Sequence, residues 1–486
     1  MKIKELAPLL QEKKSLYITL VLSVLYVIPL LLANYNYLDD LGRNHAGYGW
    51  QHDGRFISTL LGKIWSLNNL IVSIFPFSLL ISSVILGFTG FLICRILGIE
   101  NDKKVKWSSL LIITAPTFLG NLVFKFDILP MSIALLLITL PFIFYESKLK
   151  FFIVSVVTIF LSLGLYQNGA TVYFMIGSAF LIDDIKRHET KKLLKNFSII
   201  IIGFLIGLCL YFLTLKLSGI ELYMRGEIIG LTPAFFEELI NNNEVFFDRI
   251  DVVVNSGHYN KLILVFLLLA FVGFICSVIS KSKIFASVLV AILIIFILLI
   301  NFWLIAGVNI FLKGSYWDLR SFCGLGFFLI IAAKFQDSLK GFAYKLSRVS
   351  MIVLILFSFV LISQFGRLLT NQNEYQNAVA TLLMDHFKDE SIKKVAFVGT
   401  LPLAPNNTLV YRTFPLFHNL LSSPIGKYSF WTKEALNTNG MMKGISIIEI
   451  ADVDCKYDLI EKTKWYYVRK MDNETLIIDF NKSSCD

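Results

Sequence analysis

Long apolar stretches follow one another along most of the chain, and short polar loops separate them. Each stretch approaches the roughly 17–25 residues that a helix needs to cross a bilayer. The pattern predicts about eleven spans, at residues 15–34, 70–94, 107–123, 128–145, 151–166, 169–183, 196–217, 262–280, 284–307, 321–336 and 349–366. The third, fifth and sixth stretches are short, so roughly nine to eleven spanning helices are expected.

The pattern changes after residue 366, where charged residues become more frequent and long apolar runs end. An amphipathic helix is expected at residues 377–387, and strands at 394–399, 445–450, 465–468 and 476–480. This segment, at about 120 residues, can hold a core of its own. The chain is therefore predicted to be an all-α polytopic membrane bundle (1–366, first outer loop 35–69) followed by a small α/β domain (367–486).

Composition supports the assignment to membrane proteins. Hydrophobic residues make up 56% of the chain, charged residues only 16%, and the mean hydropathy is +0.68. A soluble domain carries about 25% charged residues. A soluble globular protein is therefore excluded.

The net charge of +10 comes from Lys and Arg residues that concentrate in alternate loops between the apolar stretches. This distribution follows the positive-inside rule and differs from the basic stripe of a protein that binds nucleic acid. It predicts a cytoplasmic N-terminus. The first outer loop and the C-terminal domain should then face the opposite side of the membrane.

Two adjacent carboxylates, Asp39 and Asp40, follow the first apolar stretch. An acidic pair at the mouth of a membrane helix lies where a general base would meet a lipid-borne substrate. The loop that continues to Arg55 also contains histidines, arginines and several glycines. The alternative is a solvated loop whose charges only cap the flanking helices.

Three further places carry polar residues beside apolar stretches. They are Lys125 with Asp127, Tyr166 with Gln167, and Arg320. Each also has a structural interpretation: an interfacial ion pair, a hydrogen bond between helices, or interfacial anchoring. If all lie on the outer face, the cations could hold a phosphate leaving group while a carboxylate accepts a proton from a hydroxyl group. A sugar phosphate carried on a lipid would fit such a site as the donor. A single displacement at the anomeric carbon of that sugar inverts its configuration.

The motif Tyr37-Leu38-Asp39-Asp40-Leu41-Gly42-Arg43 with Asp53-Gly54-Arg55, the stretch Lys125 to Met131 and the pair Tyr166-Gln167 resemble the GtrII family. That family belongs to the GT-C superfamily of multi-span glycosyltransferases. The resemblance implies a phage-borne, serotype-converting enzyme in the inner membrane of an enteric bacterium. It would transfer glucose from undecaprenyl phosphate glucose to a sugar, commonly rhamnose, of the lipid-linked O-antigen at the periplasmic face. Partner proteins would make and flip the donor.

The resemblance also implies roles for individual residues. Asp39 or Asp40 would be the catalytic base. Beyond the resemblance, the basic residues Arg55, Lys125 and Arg320, in falling order, are the candidates for binding the donor phosphate. The residues expected to bind glucose are His52, Asp127, Tyr166 and Gln167. Two carboxylates could hold Mg²⁺ or Mn²⁺, but no obligatory metal or other cofactor is expected.

Two alternative functions and one possible disulfide stay open at this point. A flippase or transporter of lipid-linked sugars would also place charges in a helical bundle. An O-antigen ligase or polymerase would use a similar donor with a different acceptor. In the C-terminal domain, Cys455 and Cys485 could form a disulfide if that side is a bacterial periplasm.

Overall fold

A computed structural model describes residues 13–99, 107–187, 189–222, 228–230, 232–255, 259–279, 284–315, 317–437, 440, 442–450, 453 and 456–483. The chain divides into two compact units. The first unit comprises residues 1–31 and 48–363, and the second comprises residues 32–47 and 364–486. Residues 32–47, which include Asp39 and Asp40, therefore group with the C-terminal residues and not with the remainder of the predicted membrane domain.

The helices are α1 (Lys13–Ala33), α2 (Asp39–Ala46), α3 (Phe56–Ser66), α4 (Phe77–Ile96), α5 (Leu119–Leu122), α6 (Ile128–Thr139), α7 (Lys148–Leu165), α8 (Thr171–Lys186), α9 (Thr190–Leu217), α10 (Phe235–Val254), α11 (Tyr259–Ile279), α12 (Ile284–Trp303), α13 (Gly324–Gln336), α14 (Gly341–Phe387), α15 (Thr408–Thr413) and α16 (Ser429–Asn437). Short 3₁₀ turns connect several of them, including Gln51–Asp53, Gln167–Ala170 and Leu319–Phe322.

Eight helical segments among the described residues are long and apolar enough to cross a membrane. They are Lys13–Ala33, Phe77–Ile96, Lys148–Leu165, Thr190–Leu217, Lys261–Ile279, Val288–Ala306, Leu319–Gln336 and Gly341–Phe387. Ile128–Phe144 is a shorter apolar segment. The chain is thus a helical membrane protein, and its described residues contain fewer long apolar helices than the predicted nine to eleven spans.

The predicted span at 107–123 is wrong as a continuous helix. This stretch consists of the 3₁₀ turns Trp107–Leu110 and Pro116–Phe118 and the four-residue helix α5. Residues 108–123 are all buried. Irregular backbone at membrane depth is tolerated where protein surrounds it, so an apolar run can be buried here without forming a spanning helix.

Two further helices differ from the sequence prediction. The predicted span at 349–366 and the predicted amphipathic helix at 377–387 are parts of one 47-residue helix, α14. Helix α10 was not predicted, because its 20 residues mix apolar side chains with acids and amides. Asn242 anchors α10 by donating from Nδ2 to the carbonyl groups of Ile310 (3.0 Å) and Leu312 (2.9 Å).

The second unit contains a five-stranded sheet of order β2-β1-β5-β4-β3. Its strands are β1 (Lys394–Val398), β2 (Ser446–Ile448), β3 (Asp458–Lys462), β4 (Tyr467–Lys470) and β5 (Thr475–Asp479). Strand β1 runs parallel to β2 and β5, and β4 is antiparallel to β3 and β5. The four predicted strands are confirmed. Strand β3 was missed because every one of its residues is exposed.

One face of this sheet is covered by the C-terminal part of α14 and by α16. Val379 and Leu383 from α14 and Leu436 from α16 share a buried cluster with residues of β1, β4 and β5. A second, smaller cluster covers the opposite face around Ala396, Val398 and Ile477. The α/β character expected for the C-terminal segment is therefore confirmed. Cys455 and Cys485 lie outside the described residues, and their disulfide stays a prediction.

Candidate active site

A tight turn at residues 50–55 begins the candidate site in the first unit. The Trp50 carbonyl oxygen accepts hydrogen bonds from the N–H groups of Asp53 (3.1 Å) and Arg55 (3.0 Å). Gly54 has a φ of +76°, in the left-handed region that favours glycine. A Cβ atom at Gly54 would collide with the Tyr211 hydroxyl. The turn therefore requires glycine both for its backbone angle and for space.

The Arg55 side chain leaves this turn and meets two predicted site residues from other parts of the chain. Its Nη1 lies 3.3 Å from Asp127 Oδ1, and its Nε donates to Gln167 Oε1 at 3.1 Å. The side chain of Arg55 is 18% exposed and that of Asp127 only 3%. A guanidinium group held by a carboxylate and an amide has a defined orientation and keeps further N–H donors for a ligand.

Gln167 and Trp50 complete the support of Arg55 and Asp127. Gln167 Nε2 donates to the Asp53 carbonyl oxygen at 2.7 Å and to the Tyr211 hydroxyl at 3.2 Å. Trp50 donates from Nε1 to Asp127 Oδ1 at 2.9 Å, and its ring is buried with Ile71 and Phe126. These bonds tie the turn at 50–55 to the start of α6 and to the end of α7.

Tyr166 links Arg55 to the main chain of a second arginine, Arg320. The Arg55 guanidinium carbon lies 5.2 Å from the centre of the Tyr166 ring. The Tyr166 hydroxyl donates to the Arg320 carbonyl oxygen at 2.6 Å. The Arg320 guanidinium itself lies 4.6 Å from the centre of the Phe124 ring, and its Nε is 3.4 Å from Asp318 Oδ2. One aromatic side chain thus contacts the guanidinium group of Arg55 and the main chain of Arg320.

Two other predicted site residues are close in sequence to these side chains: Lys125 lies shortly before Asp127, and His52 lies shortly before Arg55. Lys125 is 8% exposed, and its Nζ lies 4.7 Å from the centre of the Phe75 ring. His52 is exposed in the 3₁₀ turn at Gln51–Asp53, where its Nδ1 is 3.1 Å from the Glu221 carbonyl oxygen. Asn121 donates from Nδ2 to the Tyr166 hydroxyl oxygen and to the Arg320 carbonyl oxygen. We refer to Trp50, Arg55, Asn121, Asp127, Tyr166, Gln167 and Arg320 as the guanidinium cluster.

Asp39 and Asp40 belong to the second unit, where they form the first turn of α2. Asp40 is fully buried, and its Oδ2 accepts a hydrogen bond from the Tyr37 N–H at 3.2 Å. Asp39 is half-buried. In the same unit, the Tyr35 hydroxyl donates to Gln376 Oε1 at 3.2 Å, and burial raises the pKa of Tyr35 to about 12. Tyr35 therefore stays protonated at neutral pH.

Sequence reasoning identified Arg55, Asp127, Tyr166 and Gln167, and the structure brings these four together. It missed Trp50 and Asn121, which bind them. The available signal for Asn121 was an amide inside the otherwise apolar stretch 107–123. For Trp50 the sequence contains no comparable signal, because an indole near a membrane surface is usual.

The cluster can bind and orient an anion. The turn at 50–55 also contains an exposed carboxylate, Asp53, two residues before Arg55. Asp127 is engaged by Trp50 and Arg55 and has little exposed surface. Among the described residues there is no group of three or more His, Cys, Asp or Glu side chains that could hold a metal ion.

The long apolar helices, together with polar side chains gathered in one hydrogen-bonded cluster, define a helical membrane protein. The glucosyl transferase GtrII family model matches residues 28–331. The chain belongs to this family and is a glucosyltransferase. The match includes Asp39, Asp40 and every residue of the guanidinium cluster. It confirms the family resemblance found in the sequence.

A similar protein is described as an uncharacterized 55.3 kDa protein in the gtrB 5′ region of Salmonella phage P22. The two chains are 25% identical over 476 residues, which cover 95% of this chain and 97% of the phage protein. The similarity thus extends through the second unit, beyond the residues matched by the family model. No solved structure matches the chain.

Proposed function

We propose that the protein transfers glucose from undecaprenyl phosphate glucose to a sugar, commonly rhamnose, of the lipid-linked O-antigen. The reaction takes place at the periplasmic face of the bacterial inner membrane and modifies the serotype. A synthase and a flippase supply the donor. The observation that carries the proposal is the guanidinium cluster in a bundle of apolar helices, since a prenyl phosphate sugar combines a hydrophobic chain with an anionic group.

In this mechanism the phosphate of the donor binds Arg55 and Arg320, with Lys125 as a third cation. An acceptor hydroxyl oxygen attacks the anomeric carbon of glucose and a carboxylate takes its proton. The bond between the anomeric carbon and the phosphate oxygen breaks, and undecaprenyl phosphate leaves with the electron pair. Cations that are fixed before the reaction stabilise the charge that develops on the leaving group. The configuration at the anomeric carbon is inverted.

Asp39 and Asp40 are our first candidates for the base and its orienting partner, on the strength of their place after α1 and of the family motif. Asp39 is half-buried and has surface for an acceptor hydroxyl, whereas Asp40 is fully buried and would orient it. Asp53 is a second candidate. It is exposed, it stands two residues before Arg55, and its carbonyl oxygen is fixed by Gln167. Either assignment leaves Asp127 to orient Arg55. His52 and Gln167 are candidates for contacts with glucose hydroxyl groups.

A flippase of lipid-linked sugars is the main alternative function. It would need the cations but no base, and it would leave the polysaccharide unchanged. The membership of the glucosyl transferase family favours the enzyme. An O-antigen ligase or polymerase would join whole repeats and would add no side-branch hexose.

The test is to express the chain with a donor synthase and a donor flippase in a strain that makes the unmodified O-antigen. Mass and linkage analysis of the polysaccharide should show one additional hexose for each modified repeat. A strain without the donor synthase is the control and should show none. An unchanged polysaccharide, with the full-length protein present in the membrane, would overturn the proposal.

A further inference from the structure

Tyr166 and Asn121 occupy the space between the two arginines of the guanidinium cluster. Both side chains belong to residues with no exposed surface. Tyr166 therefore offers no surface to a sugar in this structure, although the sequence predicted such a contact. A residue in this position can influence a bound ligand only through the groups that it holds.

The bonds of Asn121 converge on Arg320. Its Nδ2 donates to the Arg320 carbonyl oxygen at 3.2 Å and to the Tyr166 hydroxyl oxygen at 3.2 Å, and Met131 Sδ lies 3.3 Å away. The Tyr166 hydroxyl hydrogen is already directed to the Arg320 carbonyl. All three neighbours of Nδ2 thus accept, and the opposite orientation of the amide would place its oxygen against acceptors.

This arrangement leaves Asn121 Oδ1 buried with no hydrogen-bond partner among the described residues. An unsatisfied buried oxygen destabilises a protein, because its hydrogen bonds to water are lost and not replaced. Such a group calls for a specific explanation. The two donations to Arg320 and Tyr166 provide one, because an apolar side chain at position 121 would make neither.

The main chain at Arg320 is also held from its other side. A Cβ atom at Gly120 would lie 2.8 Å from the Arg320 backbone nitrogen, so α5 approaches the turn at Leu319–Phe322 closely. Arg320 N donates to Asp318 Oδ1 at 3.2 Å. The backbone from which the Arg320 side chain extends is therefore fixed by hydrogen bonds at its carbonyl and its N–H group and by the close approach of Gly120.

We propose that Asn121 and Tyr166 are positioning residues that set the separation of the Arg55 and Arg320 guanidinium groups, so that both bind the phosphate group of one donor molecule. Tyr166 does this with its two ends: its ring lies against the Arg55 guanidinium and its hydroxyl binds the Arg320 carbonyl. The inference rests on the proposed function. A displacement of about 1 Å at a catalytic group is enough to cost roughly a hundredfold in rate.

The experiment compares Tyr166→Phe with Tyr173→Phe in the full-length protein in nanodiscs. Tyr173 is a matched control, since it is fully buried in α8 and its hydroxyl binds Ser155 Oγ at 2.9 Å, outside the cluster. Both variants lose one buried hydroxyl. Tyr166→Phe should raise the KM for undecaprenyl phosphate glucose about tenfold and leave the KM for the acceptor unchanged. Tyr173→Phe should change neither KM.

A binding measurement separates this inference from the proposed function. Native mass spectrometry with undecaprenyl phosphate as the probe should show weaker binding to Tyr166→Phe than to the wild type and to Tyr173→Phe. Asn121→Ala, which removes both donations, should weaken it as well. If the wild type transfers no glucose, the proposed function fails, and the probe still tests the positioning role. Equal probe binding by all four proteins, or equal KM changes for donor and acceptor in Tyr166→Phe, would overturn it.

Discussion

Arg55 owes its orientation to side chains from two distant segments of the chain. Asp127 precedes α6, and Gln167 follows α7, yet both bind the same guanidinium group within 3.3 Å. Replacing either partner by a residue of another shape would remove one of these two contacts with the Arg55 guanidinium group. Substitutions of single residues can therefore test the proposed chemistry.

Replacing each candidate base by its amide isostere should distinguish the three carboxylates. Asp39→Asn, Asp40→Asn and Asp53→Asn keep size and hydrogen-bonding oxygen but remove the basic group. Replacing the true base should reduce the rate of glucose transfer at saturating donor by about a hundredfold or more. Asp458→Asn, an exposed change in β3, is the control and should be neutral. Full activity in all three site variants would contradict carboxylate base catalysis here.

Trp50→Phe should remove the hydrogen bond from residue 50 to Asp127 while most of the packing around residue 50 is kept. The phenyl ring keeps most of the buried contacts with Ile71 and Phe126, but the Nε1–H donor to Asp127 is lost. We expect a loss of about 1–3 kcal/mol in the free energy of unfolding, seen as a lower Tm in detergent. Trp303→Phe removes an exposed indole and should leave the Tm unchanged. An unchanged Tm for Trp50→Phe would show that the hydrogen bond contributes little.

At the scale of elements, the turn at residues 50–55 determines how Arg55 and Asp53 are presented. Gly54 and Gly219 both have a positive φ, +76° and +62°, but a Cβ atom meets the Tyr211 hydroxyl only at Gly54. Changing either glycine to Ala should cost roughly 1–2 kcal/mol for the backbone angle. Gly54→Ala should in addition reduce glucose transfer, because the turn must move. Equal activity of Gly54→Ala and Gly219→Ala would contradict this role of the turn.

Elements also show how far sequence patterns can predict this fold. Most of the apolar stretches became helices, because a helix satisfies the backbone hydrogen bonds of an apolar run within its own segment. The stretch at 107–123 has the same composition but is buried by protein, and burial is a property of the assembled bundle. Helix α10 and strand β3 were missed because both mix polar and apolar residues at exposed positions.

In the candidate site, too, single residues could be recognised from the sequence, whereas their contacts depend on the assembled fold. Arg55, Asp127 and Gln167 were recognisable one by one, since a charge or amide beside an apolar stretch needs a reason. Their mutual contacts were not predictable, because they join turns that lie more than seventy residues apart. The role of Asn121 likewise depends on the Arg320 carbonyl, a backbone group that no side-chain pattern reveals.

At the scale of the whole molecule, the distribution of basic residues predicts that the N-terminus is cytoplasmic and the second unit periplasmic. Alkaline phosphatase fused after Asp486 should be active, because this enzyme requires the periplasm to form its disulfides. A fusion after Arg187, in a basic loop, should be inactive. The opposite pair of results would place the second unit in the cytoplasm and would contradict a periplasmic reaction.

The most direct test of the central claim is the donor KM of the purified protein in nanodiscs, with undecaprenyl phosphate glucose and a lipid-linked acceptor. The wild type should transfer glucose with inversion, and Arg55→Ala should raise the donor KM about tenfold or more without changing the acceptor KM. Arg187→Ala, an exposed cation remote in sequence from the cluster, should behave like the wild type. A donor KM that is the same in Arg55→Ala and in the wild type would contradict the account.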